Sequence, residues 1–195
     1  MNKIIYSLLT LMFLHQLSFA QGNNKPQRST FAVSYIYNDF KSAAAVRANN
    51  IGNVMKNGQF GKLRNMAPGL SLTYIKGLTK YHDVVTSLTG SFVDYPIPGK
   101  PAFGRDFLLL EADVSVRGKI ISNNAAVSPY LQGGVGVSKY KGYFGGYIPV
   151  GMGLQVNLFQ EAYMLINAQY RVPVSELVNY HFYYGIGFAG HLGKK

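Results

Sequence analysis

Tyr147-Ile148-Pro149-Val150-Gly151-Met152-Gly153-Leu154-Gln155-Val156-Asn157-Leu158-Phe159 sorts into two faces as an extended chain. Ile148, Val150, Met152, Leu154, Val156 and Leu158 fall on one side, and Pro149, Gly151, Gly153, Gln155 and Asn157 on the other. Side chains of a strand alternate with period two, whereas a helix would mix the two sets. The segment therefore predicts a strand with one bulky apolar face and one small or polar face.

The same alternation recurs outward in both directions. Arg105–Gly118 sets Leu108, Leu110, Ala112, Val114 and Val116 against Leu109, Glu111, Asp113, Ser115 and Arg117. Ala162–Val172 sets Met164, Ile166, Ala168, Tyr170 and Val172 against Leu165, Asn167, Gln169 and Arg171. Asn179–Leu192 sets Tyr180, Phe182, Tyr184, Ile186 and Phe188 against His181, Tyr183, Gly185, Gly187 and Ala189. Weaker versions cover Val127–Ser138, Ala67–Gly77, His82–Val93 and Ser29–Phe40, where Val85, Val93 and Ile36 break the pattern. Each of these segments runs about 10–13 residues, and a tilted membrane strand needs about 9–11.

The connections alternate in length. Lys41–Met66 is long, Leu78–Tyr81 short, and Asp94–Gly104 carries three prolines. Lys119–Ala126 holds Ser122-Asn123-Asn124, and Lys139–Gly146 is rich in Tyr, Phe and Gly. Phe159–Glu161 is tight, and Pro173–Val178 leads into the last segment. Long outer loops and short inner turns are the habit of membrane barrels, which places the connections after odd-numbered strands outside.

The N-terminus fixes the compartment. Lys3 precedes the apolar run Ile4–Leu14, and Ser18-Phe19-Ala20 offers small residues ahead of a cut before Gln21. That is the order of a secretory signal peptide, and the run is short for a membrane span. An uncleaved anchor is the alternative. The expected organisation is a leader over 1–20, a tail over 21–28 and a barrel over 29–195. The 195 residues include no Cys, so neither a disulfide framework nor lipoprotein acylation is open to the chain. With 22 Gly, 27 aromatic residues (15 Tyr and 12 Phe) and 14% charged residues, the chain is apolar overall without a later long apolar run. Alternation in a lipid-facing sheet produces that combination.

An open sheet in hydrocarbon would leave N–H and C=O groups without partners, so the sheet must close. The expectation is an all-β fold: an eight-stranded, antiparallel, up-and-down transmembrane β-barrel with its apolar face outward. Inward glycines suit a narrow interior. Tyr35, Tyr37, Phe92, Tyr95, Phe107, Tyr147, Tyr170, Tyr180 and Phe182 are expected near the outer interface, and Phe31 and Phe159 near the inner one.

Several stretches resemble the barrel domain of OmpA-like outer-membrane proteins of the Bacteroidota type. They are Gly69-Leu70-Ser71-Leu72-Thr73-Tyr74-Ile75-Lys76-Gly77, Leu88–Pro96, Ser128–Gly136, Tyr147–Asn157 and Tyr184–Gly190. The resemblance runs from Phe31 to Leu192, strongest after Ala67. It implies an outer-membrane location and a structural or surface-contact role. Such barrels often continue into a peptidoglycan-binding domain, whereas this chain stops at Lys195, so that anchoring is not carried over. The closing His191-Leu192-Gly193-Lys194-Lys195 also lacks the aromatic end by which many such barrels are assembled.

The inward residues Glu111, Asp113, Arg117, Gln132, Gln155, Asn157, Asn167, Gln169, Arg171 and His181 are expected to form a hydrogen-bonded ionic filling, because eight strands leave a lumen that side chains can occupy. Ion-pair exchange in that filling would instead make a narrow small-solute pore. A soluble lipocalin-like carrier is the third reading. The charge of +11 suits nucleic acid in principle, but export argues for lipid phosphate and anionic glycolipid instead. Lys41, Arg47, Lys56, Lys62 and Arg64, with no acidic residue between positions 41 and 66, form the candidate glycolipid-contacting loop. Lys139 and Lys141, beside Tyr140, Tyr143 and Phe144, add a second basic loop.

An enzyme is not expected. His181 with Ser175 and Glu176 is the sole catalytic candidate, and it lacks a nucleophile elbow. His82, His181 and His191 are too far apart in the strand pattern for a metal site. No cofactor is expected.

Overall fold

The computed structural model describes residues 26–121, 125–158 and 162–192. The leader expected over 1–20, most of the expected tail, and residues 122–124, 159–161 and 193–195 lie outside them. β1 (Thr30–Asp39), β2 (Ala67–Gly77), β3 (His82–Val93), β4 (Phe107–Lys119), β5 (Val127–Tyr140), β6 (Tyr143–Leu158), β7 (Ala162–Pro173) and β8 (His181–His191) form one closed barrel. Every strand pairs antiparallel with its sequence neighbour, and β1 pairs with β8 from Thr30↔His191 to Asp39↔Phe182. This is the expected eight-stranded, up-and-down topology, and closure removes both sheet edges.

The pleat places the faces as the alternation predicts. Val33, Leu72, Leu88, Val116, Val135, Val150 and Phe188 point outward and are exposed, while Ser34, Ser71, Ser87, Ser115, Gln132 and Arg171 point inward and are buried. A soluble protein buries its large apolar side chains; this one buries its polar ones and displays an apolar belt. The pattern breakers Ile36 and Val85 are inward residues, both fully buried.

The end at which β1 begins is here called the inner end. Two apolar layers close the interior. Ala32, Ile75, Val85, Tyr163, Leu165 and Ala189 cluster at the inner end. Phe40, Tyr95, Ile97, Leu109 and Tyr140 cluster at the outer end, with Val93, Phe103, Phe107 and Tyr143 packed against them. Most of the buried polar residues lie between, and Asp83, Lys119 and Gln27 stand at the inner rim.

Two connections differ from expectation. Lys41–Met66 is not a plain loop. It contains α1 (Phe40–Ala48), α2 (Ile51–Lys56) and a 3₁₀ turn at Leu63–Asn65. Asp39 caps α1 by accepting from the Ser42 N–H at 2.8 Å, and Asn50 caps α2 through Asn53 N–H at 2.9 Å. Short polar residues ahead of an alanine run are helix-start signals. Nor is Lys139–Gly146 a loop. β5 and β6 continue to Tyr140↔Tyr143, and Lys141-Gly142 alone turn the chain, with Lys141 at φ 53°. At 14 and 16 residues this hairpin overtops its neighbours. Lys119, assigned to a turn by the sequence reading, ends β4 with its side chain buried in the lumen.

Candidate functional site

The lumen is assembled from the inward positions of all eight strands. Its outer half centres on Arg171. The guanidinium is ion-paired to Glu111, and its Nη2 lies 3.6 Å from Asp113 Oδ2. Tyr183 packs against one side at 4.0 Å and Tyr147 lies 5.0 Å away. His181 Nε2 sits 3.5 Å from Glu111 Oε1, its Nδ1 faces the Asn179 carbonyl at 3.2 Å, and the Phe40 ring lies on it. Asp113 accepts from the Ser115 hydroxyl at 3.2 Å and the Tyr147 hydroxyl at 3.4 Å. A planar guanidinium between two rings and two carboxylates is the arrangement that offsets burial of its charge.

The inner half holds Arg117 over the Tyr130 ring at 3.9 Å, donating to Gln132 Oε1 at 3.5 Å. Below it, Lys119 Nζ meets Asp83 Oδ2 at 2.6 Å and donates to Gln27 Oε1, which comes from the segment leading into β1. Gln155 donates to Asn157 at 3.4 Å. Among the described residues, the buried inward charges are Asp83, Glu111 and Asp113 against Arg117, Lys119 and Arg171. The lumen is neutral.

The inward glycines have a specific role. A Cβ on Gly136 would lie 2.5 Å from Tyr147 Cζ, and one on Gly153 would lie 2.4 Å from Tyr130 Cζ. Gly136 pairs with Tyr147 and Gly153 with Tyr130 across β5 and β6. Each tyrosine ring lies flat over its glycine partner, which sets the ring beside a guanidinium. Gln169 covers Gly151 and Asn167 covers Gly185 in the same way.

All ten lumen residues named from sequence therefore face the interior, and the ion pairs link Glu111, Asp113 and Arg171, with the His181 ring beside Glu111. Asp83, Lys119, Tyr130, Tyr147 and Tyr183 were missed as members. Asp83 and Lys119 sit at strand ends, where a turn and a strand read alike. Tyr147 and Tyr95, expected at the outer interface, are buried inside instead. Tyr147 shares the parity of Pro149 and Gly151, which was the available signal. Tyr95 accepts from Asn179 N–H at 2.6 Å, and burial pushes its phenol up.

The catalytic candidate is not assembled. Ser175 Oγ accepts from Gly146 N–H at 3.0 Å, Glu176 is exposed, and His181 is engaged with Asn179 and Glu111. His82 contacts Thr79 at 3.0 Å, and His191 contacts Tyr163 at 2.6 Å, both at the inner end and away from His181.

The first-loop cations stand on the outer end. Lys41 Nζ donates to Asn65 Oδ1 at 3.3 Å, and Arg47 lies 3.9 Å over the Tyr180 ring. Lys56, Lys62 and Arg64 are exposed. Phe60 packs edge-on against Phe182, pinning the loop over the outward face of β8. Lys141 lies about 4 Å over Phe103 and Phe107.

No protein-family model matches the chain, and no curated protein matches it in sequence. Solved structures are similar. The outer membrane protein OprG from Pseudomonas aeruginosa superposes with TM-score 0.56 at 14% identity, covering 87% of this chain and 98% of that one. Neisserial surface protein A gives 0.54 at 11%, covering 86% and 99%. Ail, the attachment invasion locus protein of Yersinia pestis, gives 0.51 at 18%, covering 86% and 99%. The chain has the fold of eight-stranded outer-membrane barrels of this type.

Proposed function

We propose that this protein is a non-enzymatic barrel of a bacterial outer membrane that works through its outer surface, with a lumen closed to solutes. The observation that carries the reading is the inversion of its two faces. An apolar belt surrounds the barrel, and the interior is filled by buried polar side chains whose formal charges balance, with an apolar cluster toward each end. Hydrocarbon is the solvent in which such a belt is stable.

The surface role rests on the outer end. Lys41, Arg47, Lys56, Lys62 and Arg64, with Lys139 and Lys141 on the β5–β6 hairpin across the barrel, give the outer end a cationic rim. Phosphates of an anionic glycolipid are its natural counter-charge. The test is flotation with vesicles of phosphatidylcholine with and without a bis-phosphorylated glycolipid. Neutralising the five first-loop cations should weaken association with the anionic vesicles; unchanged association would remove the rim from the account. The pore reading predicts conductance in planar bilayers, and the closed lumen predicts none.

A further inference from the structure

We propose that the outward face of β6, β7, β8 and β1, together with Arg47 above it, holds one acyl chain and one phosphate of an anionic glycolipid. The proposal rests on the outer-membrane reading and adds to it a defined seat. The apolar belt is hollow here. Two paired rows cross the wall, Tyr37–Tyr184–Ala168–Met152 and Tyr35–Ile186–Ile166–Leu154. Ala168 is the small member among bulky neighbours, and the backbone of Gly153 and Gly185, whose missing side chains face the lumen, lines the floor beside it. The result is a cavity of ≈ 410 Å³, lined almost wholly by apolar surface, whose walls include Tyr35, Tyr37, Tyr184 and Met152. That volume is in the range of small-ligand sites.

A further observation points to its occupant. Above the hollow a ladder of rings climbs to a cation: Tyr184 stacks on Phe182, Phe182 on Tyr170, and Tyr170 on Tyr180, over which Arg47 lies at 3.9 Å. Tyr184 and Tyr180 are four residues apart, about 13 Å along an extended chain. The cation thus stands at headgroup height over the hollow. The other four first-loop cations belong to the same loop, with no acidic residue between positions 41 and 66, which suits a head bearing more than one phosphate. Phosphatidylglycerol offers only one, so the seat is assigned to the glycolipid.

The experiment is native mass spectrometry of the refolded mature chain released from micelles. The probes are a bis-phosphorylated glycolipid and phosphatidylglycerol at equal concentration. Ala168→Phe fills the hollow, Met152→Phe narrows it from another wall, and Arg47→Gln removes the cation. Ala112→Phe, an outward alanine on β4, is the control, and heat-modifiable gel mobility verifies folding of each. Wild type and A112F should retain the glycolipid over phosphatidylglycerol. A168F, M152F and R47Q should each lose about tenfold, the loss expected of one strong contact. Full retention by both A168F and M152F overturns the proposal. So does equal retention of phosphatidylglycerol, or conversion of a dimer to a monomer by A168F with lipid binding unchanged, which would give the face to a second copy. Wild type that enters membranes but retains no glycolipid sinks the seat alone; wild type that stays in the aqueous phase sinks the outer-membrane reading itself.

Discussion

At the scale of single residues, Arg171 holds the lumen together. It is buried between two tyrosines and two carboxylates, so removing its charge strands Glu111 in a dry interior. Arg171→Met should cost about 3–5 kcal/mol, whereas adding both Glu111→Leu and Asp113→Asn to Arg171→Met should recover most of it, because neutral groups replace a buried ionic cluster at little cost. Urea titration in micelles, read by the gel-mobility shift of folded barrel, measures both. The glycines make a second residue-scale case. Gly153→Val places a branched side chain where the Tyr130 ring and the Ile166 carbonyl already lie, each 2.4 Å from the new Cβ. The expected loss is about 1–3 kcal/mol from overpacking, and Gly133→Ala, with nothing nearer than 3.9 Å, should leave the midpoint unchanged.

At the scale of elements, the strands were legible wherever one face is bulky and the other small. β2 and β3 run over the bounds read from sequence, and β4, β7 and β8 differ by one or two residues at an end. Three things were hidden, each for a physical reason. The barrel has apolar layers at both ends of its lumen, so Ile36, Val85 and Leu109 break the alternation without breaking the strand. The β5–β6 hairpin is capped by Lys141-Gly142 rather than an Asn-Gly pair, and the run Phe144-Gly145-Gly146 reads as loop. The helices of the first loop lack a clear apolar face; α1 is held by its cap and by docking on β8 instead. Asp39→Ala should therefore cost about 1 kcal/mol of local stability, with Asp39→Asn close to neutral. Hydrogen exchange at the Ser42–Ala45 amides reads the difference, and equal protection in D39A would show that packing alone holds the helix.

At the scale of the whole molecule, topology and solvent are one argument. Closure leaves no sheet edge, so the backbone can sit in hydrocarbon, and the pleat then sends every outward residue to lipid. The ten lumen residues and five loop cations were separable in sequence because parity sorts the first set and an acid-free stretch marks the second. What parity could not give was the partnership inside the lumen, since which cation meets which carboxylate depends on register across several strands. The side chains that fill the lumen predict that single-channel recordings show no conductance at pH 7; steps of current would restore the pore.

The absence of native cysteine makes one measurement decisive. Single cysteines placed from Leu108 to Arg117 along β4, each spin-labelled in reconstituted bilayers, report whether oxygen in the hydrocarbon or a water-soluble relaxer reaches the site. Oxygen accessibility should peak at positions 108, 110, 112, 114 and 116 and vanish at 109, 111, 113, 115 and 117. Equal exposure of the first set to the water-soluble relaxer, or no alternation at all, would contradict a barrel whose apolar face meets lipid.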